Sequence, residues 1–202
     1  MLDPMIESLQ LVSGIGWLIA YALIIRRASA DRAYGMPIVA AAANIAWELL
    51  FSFVRPMAPP QLYVNIAWFL LDVMIVVQCV RYGRQEWSAR LSAAEFYGGC
   101  LLVQTMAGTL VWLISEHITH GHRYAAFGQN LMMSALFIGM VFRRGDRRGQ
   151  SVAIAVAKLI GTAAASLYCL LSGRGSPLLD ALFLFILVLD AVYVVLLTRA
   201  PR

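Results

Sequence analysis

The chain has 202 residues, 61% of them hydrophobic and 13% charged, with a mean hydropathy of +0.74; a soluble domain of this size does not carry that much apolar surface. The formal charge of +5 does not point to nucleic acid, because the arginines fall in short clusters between apolar runs, where they set orientation in a bilayer. An integral membrane protein is the class that remains.

The first stretch, MLDPMIESLQ, is acidic and has no basic leader, so the apolar run at 9–25 reads as a retained span and not a cleaved signal. Further apolar runs follow at 36–54, 61–80, 93–114, 124–142, 151–171 and 178–197. The pattern predicts an all-α, polytopic fold: a single bundle of seven transmembrane helices forming one domain over 1–202. The loops, such as RPMAPP and SGRGSP, are too short to fold separately. Alternate flanks carry Arg26, Arg27 and Arg32, then Arg81, Arg84 and Arg90, then Arg143, Arg144, Arg147 and Arg148, then Arg199 and Arg202. Against these twelve, the opposite flanks hold three, Arg55, Arg123 and Arg174. The positive-inside rule therefore puts the N-terminus outside and the C-terminus in the cytoplasm. Scarce lysine and abundant alanine suggest a bacterial cytoplasmic membrane. Cys79, Cys100 and Cys169 all lie in apolar runs and imply neither a disulfide framework nor a zinc motif.

The informative residues are acids inside spans. Glu48 stands near the middle of the second run, with Asn44 one turn before it, Trp47 beside it and Phe51 a turn further on. A charged group at such a depth costs at least about 2.5 kcal/mol and marks a site by default. Asp72 lies in the third run and Asp190 in the seventh, the latter in a long apolar stretch. At 1.5 Å per residue, Glu48 lies roughly 9 Å and Asp190 roughly 18 Å below the outer ends of their helices, so an extended substrate in one pocket reaches both. Asp72 fits equally well as a structural acid bonded across a helix pair. The tetrapeptide NIAW occurs at Asn44–Trp47 and again at Asn65–Trp68, on consecutive antiparallel helices. Each Asn–Trp pair either lines a shared cavity or simply bonds and packs between helices.

The run AYGMPIVAAAANIAWELLFSF, with the seven-helix plan and the late LDAVYVVLL, resembles the small membrane-bound terpene cyclases of meroterpenoid and indole-terpenoid biosynthesis. The resemblance implies that the Asn-x-x-Trp-Glu segment, here Asn44, Trp47 and Glu48, and an acid near the end of the last span, here Asp190, take part in catalysis. It implies a small hydrophobic prenylated substrate, free or attached to an aromatic or indole acceptor, cyclised through carbocations after protonation of a terminal alkene or epoxide. A pathway prenyltransferase or epoxidase would be a partner, and the lipid bilayer the surroundings. The residue types suit that chemistry on their own account. A carboxylic acid in an apolar cavity is carried most cheaply with its proton on and is then available as a general acid. Trp17, Trp47, Trp68, Trp112 and Tyr193 offer π-faces to cations, with Phe51, Asn65 and Asp72 completing the candidate substrate-binding set. No Asp-rich diphosphate motif is present, so no metal and no cofactor is expected.

Three other readings have some support. His117, His120 and His122, in HITHGH, form a solvated outer loop or a transition-metal site. Lys158, in the sixth run, suggests a retinal attachment, but its place near the cytoplasmic end lets it snorkel to the surface. The Pro60-Gln61 pair and the three acids fit a small-solute or proton-coupled transporter of the PQ-loop or sugar-exporter type.

Overall fold

The computed structural model describes residues 4–201. Among them are seven helices and no strands: α1 (Pro4–Asp31), α2 (Ile38–Leu49, continued by a π-helical turn, Leu50–Val54), α3 (Gln61–Trp87), α4 (Ala93–His117), α5 (Gly121–Arg144), α6 (Val152–Leu171) and α7 (Pro177–Arg199). In hydrocarbon every backbone N–H and C=O must be satisfied within its own segment, which is why the apolar runs become helices. Six of the helices are long and apolar enough to cross a membrane, while the segment Ile38–Val54 is shorter. Most helices outlast their apolar runs. Arg26 and Arg27 continue α1, and Arg81 and Arg84 continue α3, because hydropathy marks the hydrocarbon boundary and not the end of backbone pairing. Where the sequence supplies a cap, the helix starts on it: Ser92, Ser151 and Ser176 accept the amides of Glu95, Ile154 and Leu179.

The short second helix is the inner one. α1, α3, α4, α5, α7 and α6 follow one another around the bundle, each touching the next, and α2 packs against α3, α4 and α5 from within. Its run of alanines, Ala40 to Ala43, is almost wholly buried, and side chains that small let neighbouring backbones approach closely. α4 and α7 instead turn large apolar residues outward, among them Leu101, Leu102, Leu184 and Phe185, as lipid-facing helices should.

Two clusters tie the ends of the bundle. At one end the Arg144 guanidinium donates to Glu86 and to the carbonyl of Tyr34, joining α5, α3 and the α1–α2 turn. At the other, Arg55 pairs with Glu116 and lies 4.8 Å from the Trp112 ring. Residues from the arginine-rich and arginine-poor flanks thus sit at opposite ends; Arg202, counted with the rich set, lies outside the described residues.

The tightest crossing joins α1 and α6. A Cβ placed on Gly16 would stand 2.8 Å from the Cα of Gly161, and one on Gly161 would stand 2.9 Å from Cδ1 of Trp17. Gly161 therefore sets where Trp17 sits. Gly161→Val should force the two helices apart and lower the unfolding midpoint in detergent by roughly 3–10 °C. An unchanged midpoint in a thermal melt would show that the crossing has slack.

Candidate active site

Asn44 joins two acids. Its amide nitrogen lies 2.9 Å from Asp72 Oδ2 and 3.3 Å from Glu48 Oε1, and also contacts the Tyr21 hydroxyl. Tyr21 donates to the same Glu48 oxygen at 3.0 Å, and Gln129 donates to Asn44 Oδ1 at 3.2 Å. Four helices thus contribute to one cluster: α1 through Tyr21, α2 through Asn44 and Glu48, α3 through Asp72 and α5 through Gln129. The i, i+4 spacing of Asn44 and Glu48 puts amide and acid on one face of α2, and helical side chains lean toward the N-terminus, which brings the carboxyl back over the amide. Glu48 is 2% exposed and Asp72 fully buried. One oxygen of each acid, Glu48 Oε2 and Asp72 Oδ1, has no hydrogen-bond partner among the described residues.

Glu48 borders a cavity of about 370 Å³ enclosed by α1, α2, α3, α5 and α6, within the range of small-molecule sites. Trp17, Tyr21, Trp47 and Trp68 supply aromatic walls, and Met133, Asn130 and Thr162 lie on its α5 and α6 side. Two tryptophans are fixed by their indole N–H groups: Trp47 donates to the carbonyl of His122 at 3.0 Å and Trp68 to that of Gly14 at 3.3 Å. The cavity reaches the end of the bundle where Met57, Ala58, His122, Arg123 and Arg174 line it. The π-helical turn begins two residues after Glu48, at that end of α2, and such turns are frequent at functional sites.

Asp190 lies elsewhere. Both of its carboxylate oxygens accept from Lys158 Nζ, at 2.7 and 2.9 Å, and the same ammonium donates to Ser134 Oγ at 2.7 Å. The side chains of Lys158 and Asp190 are each 1% exposed. Lys158 therefore does not snorkel, contrary to the expectation from its position: a carboxylate on α7 compensates its charge inside the bundle. Asp190 borders a groove between α6 and α7 and is not part of the lining around Glu48. The expectation of one pocket reaching both acids counted only depth; depth along a helix says nothing about which side of α6 the acid faces. Two residues link the sites: Thr162 lines both the cavity and the groove, and Trp17, a wall of the cavity, has the Lys158 ammonium 5.5 Å from its ring centroid.

The other candidates divide. Asn44, Trp47, Trp68 and Trp17 line the cavity with Glu48. Asp72 stands behind Asn44 and takes no part in the lining. Phe51 packs behind Trp47, with ring centroids 4.8 Å apart. Asn65 is buried, accepts from Gln61 and reaches the carbonyl of Phe51, so the two NIAW copies are not equivalent. Tyr193 is buried against Phe137 and donates to Gln150, and Trp112 is 42% exposed beneath Arg55. His122 borders the cavity mouth, so HITHGH is more than a solvated loop. Tyr21, Gln129, Asn130 and Thr162 are cavity residues that sequence reasoning passed over. Tyr21 had a signal, since it follows Trp17 by one turn and the two rings meet edge to face at 5.7 Å.

Comparison with known proteins identifies relatives of the chain. The chain is 33% identical over 166 residues to a Pyr4-family terpene cyclase of Annulohypoxylon moriforme, covering 80% of this chain and 68% of the relative. It is 29% identical over 176 residues to a terpene cyclase of Aspergillus versicolor, covering 82% and 72%, and 26% identical over 162 residues to the asnovolin H synthase of Aspergillus novofumigatus, covering 77% and 66%. These relatives are fungal, so they lend no support to a bacterial membrane, and none of their names supports the transporter reading. The family model of Pyr4-like transmembrane terpene cyclases matches residues 2–202. An aromatic cavity with a buried acid in its wall, inside a bundle of apolar helices, thus comes with a match along nearly the whole chain, and the chain belongs to the Pyr4-like transmembrane terpene cyclases.

Proposed function

We propose that the chain works as a single seven-helix domain in which Glu48 starts the cyclisation of a prenylated substrate by protonating its terminal alkene or epoxide. The observation that carries this is Glu48 in the lining of the aromatic cavity, a buried acid whose Oε1 is held by Tyr21 and Asn44 and whose Oε2 has no hydrogen-bond partner among the described residues. Both partners are neutral and no cation pairs with this acid among the described residues, so it can serve as a general acid. Asp190, by contrast, has both oxygens on an ammonium, which makes it the weaker candidate for proton donor.

The reaction balances as an isomerisation. The π-electrons of the terminal double bond take the Glu48 proton, or the epoxide oxygen takes it as its C–O bond breaks, leaving a tertiary cation. Neighbouring double bonds attack that cation in turn, and each closure moves the charge along the chain. The faces of Trp17, Trp47 and Trp68 can hold these cations at about 0.5–2 kcal/mol each when water is excluded. A final proton leaves to a carboxylate, for which Glu48, ionised once it has given up its own proton, stands ready and is thereby reset. Asp190 acts at a distance by neutralising Lys158 behind Trp17. A prenyltransferase would supply the substrate, and an epoxidase where the chain is oxidised.

Incubating membranes with prenylated aromatic acceptors, with and without terminal epoxides, tests the reading. Products must be followed by NMR because the mass does not change on ring closure; folded protein that cyclises neither class refutes it. Trp47→Ala should slow turnover about tenfold or release hydroxylated, incompletely closed products. Wild-type products at the wild-type rate would reduce Trp47 to packing. The arginine-rich end is assigned to the cytoplasm, so the cavity mouth, at the arginine-poor end, faces away from it. A reporter fused to the C-terminus should read as cytoplasmic, and an external reading would reverse the topology.

A further inference from the structure

Arg123 and Arg174 both line the mouth of the cavity, one at the start of α5 and the other in the α6–α7 loop. Each is half-buried. Neither is in an ion pair among the described residues, although Arg55, at the same end, is matched by Glu116. Arg174 is braced by donating to the Tyr168 hydroxyl, itself a lining residue, while the Arg123 guanidinium makes no hydrogen bond among the described residues. Among the described residues the lining contains a single carboxylate, Glu48, and that group is engaged deeper by Tyr21 and Asn44. Gln10, Gln61 and His122 complete a polar rim above the aromatic walls.

Two partly desolvated guanidinium groups without a counter-charge, at the rim of a cavity whose interior is aromatic, lack an anion. From this we infer that the substrate's head group carries an anionic oxygen, held by Arg123 and Arg174 while its prenyl chain points inward. The inference rests on the reading of this cavity as the substrate site. Depth agrees with it: Arg123 precedes Gln129 by six residues of α5, about 9 Å of rise, and Gln129 bonds Asn44 beside Glu48. A chain anchored at the rim brings its inner part to the acid. Arginine forks suit planar carboxylates and enolates, and also phosphates. The anionic oxygen therefore belongs to an acidic aromatic acceptor or to a prenyl diphosphate.

Binding to the purified, full-length protein in detergent distinguishes these, read by quenching of tryptophan emission, since Trp17, Trp47 and Trp68 border the cavity. The probes are a prenylated aromatic carboxylic acid against its methyl ester, and a prenyl diphosphate against the prenyl alcohol. The anionic member of at least one pair should bind about tenfold or more tightly, on the scale of a charge-assisted hydrogen bond, and the pair that shows the difference identifies the head. Arg123→Gln with Arg174→Gln should remove the advantage while leaving the neutral probe's affinity unchanged; that unchanged affinity also shows the cavity is intact. Equal binding within both pairs, or an advantage that survives the double substitution, overturns the inference. Glu48→Gln should keep the head-group preference and lose turnover, so that failure of the anion site and failure of the proton-donor assignment give different results.

Discussion

Glu48→Gln should lower kcat for cyclisation at least about a hundredfold, the usual scale for loss of a general acid, with substrate binding and the amount of protein in the membrane unchanged. The substitution keeps volume and keeps an oxygen to accept from Tyr21 and Asn44, but removes the transferable proton. Asp72→Asn should cost much less, because Asn44 can still donate to the new amide oxygen and Asp72 has no place in the cavity lining. Its effect should be a modest loss of rate, through the support that Asp72 gives Asn44 beside Glu48. Single-turnover measurement of both variants decides the assignment. If Asp72→Asn abolishes cyclisation while Glu48→Gln stays active, the donor is the acid of α3 and the assignment of Glu48 is wrong.

Asp190→Asn should act on the whole molecule before it acts on chemistry. It leaves the Lys158 ammonium, whose side chain is 1% exposed, without its carboxylate. Breaking a buried pair from one side typically destabilises by about 3–5 kcal/mol. Little folded protein should be recovered, and what remains should have a displaced Trp17 beside the unpaired ammonium. Lys158→Met combined with Asp190→Asn removes both charges and should recover most of the folded protein, as apolar replacements of buried ion pairs often do. Turnover in that double variant is the decisive measurement. Activity within about tenfold of wild type would make Asp190 a positioning residue acting through Lys158; a folded double variant with no cyclisation would make its carboxyl a participant in proton transfer. Because the double variant lacks the unpaired charge, the outcome cannot be attributed to misfolding.

The division between what the chain announces and what only packing reveals follows from the distances involved. Seven helices, the second among them marked by Asn44, Trp47 and Glu48, were legible because hydropathy and an i, i+4 pair are local properties of one segment. Family membership was legible for the same reason, since the diagnostic run lies within one helix and its start. The partners of each acid were not legible. Glu48 and Asp190 looked alike as lone acids in apolar spans, yet one meets Tyr21 and Asn44 and the other meets Lys158. That difference depends on how helices 27 to 32 residues apart in sequence rotate about their axes. Hydrophobicity does not encode this rotation in a bilayer, where lipid and neighbouring helices are equally apolar. It is set by close contacts such as Gly16 on Gly161, which fixes Trp17, and by the alanines of α2; in the resulting bundle Trp17 and Trp68 line the cavity while Trp112 and Tyr193 lie outside it.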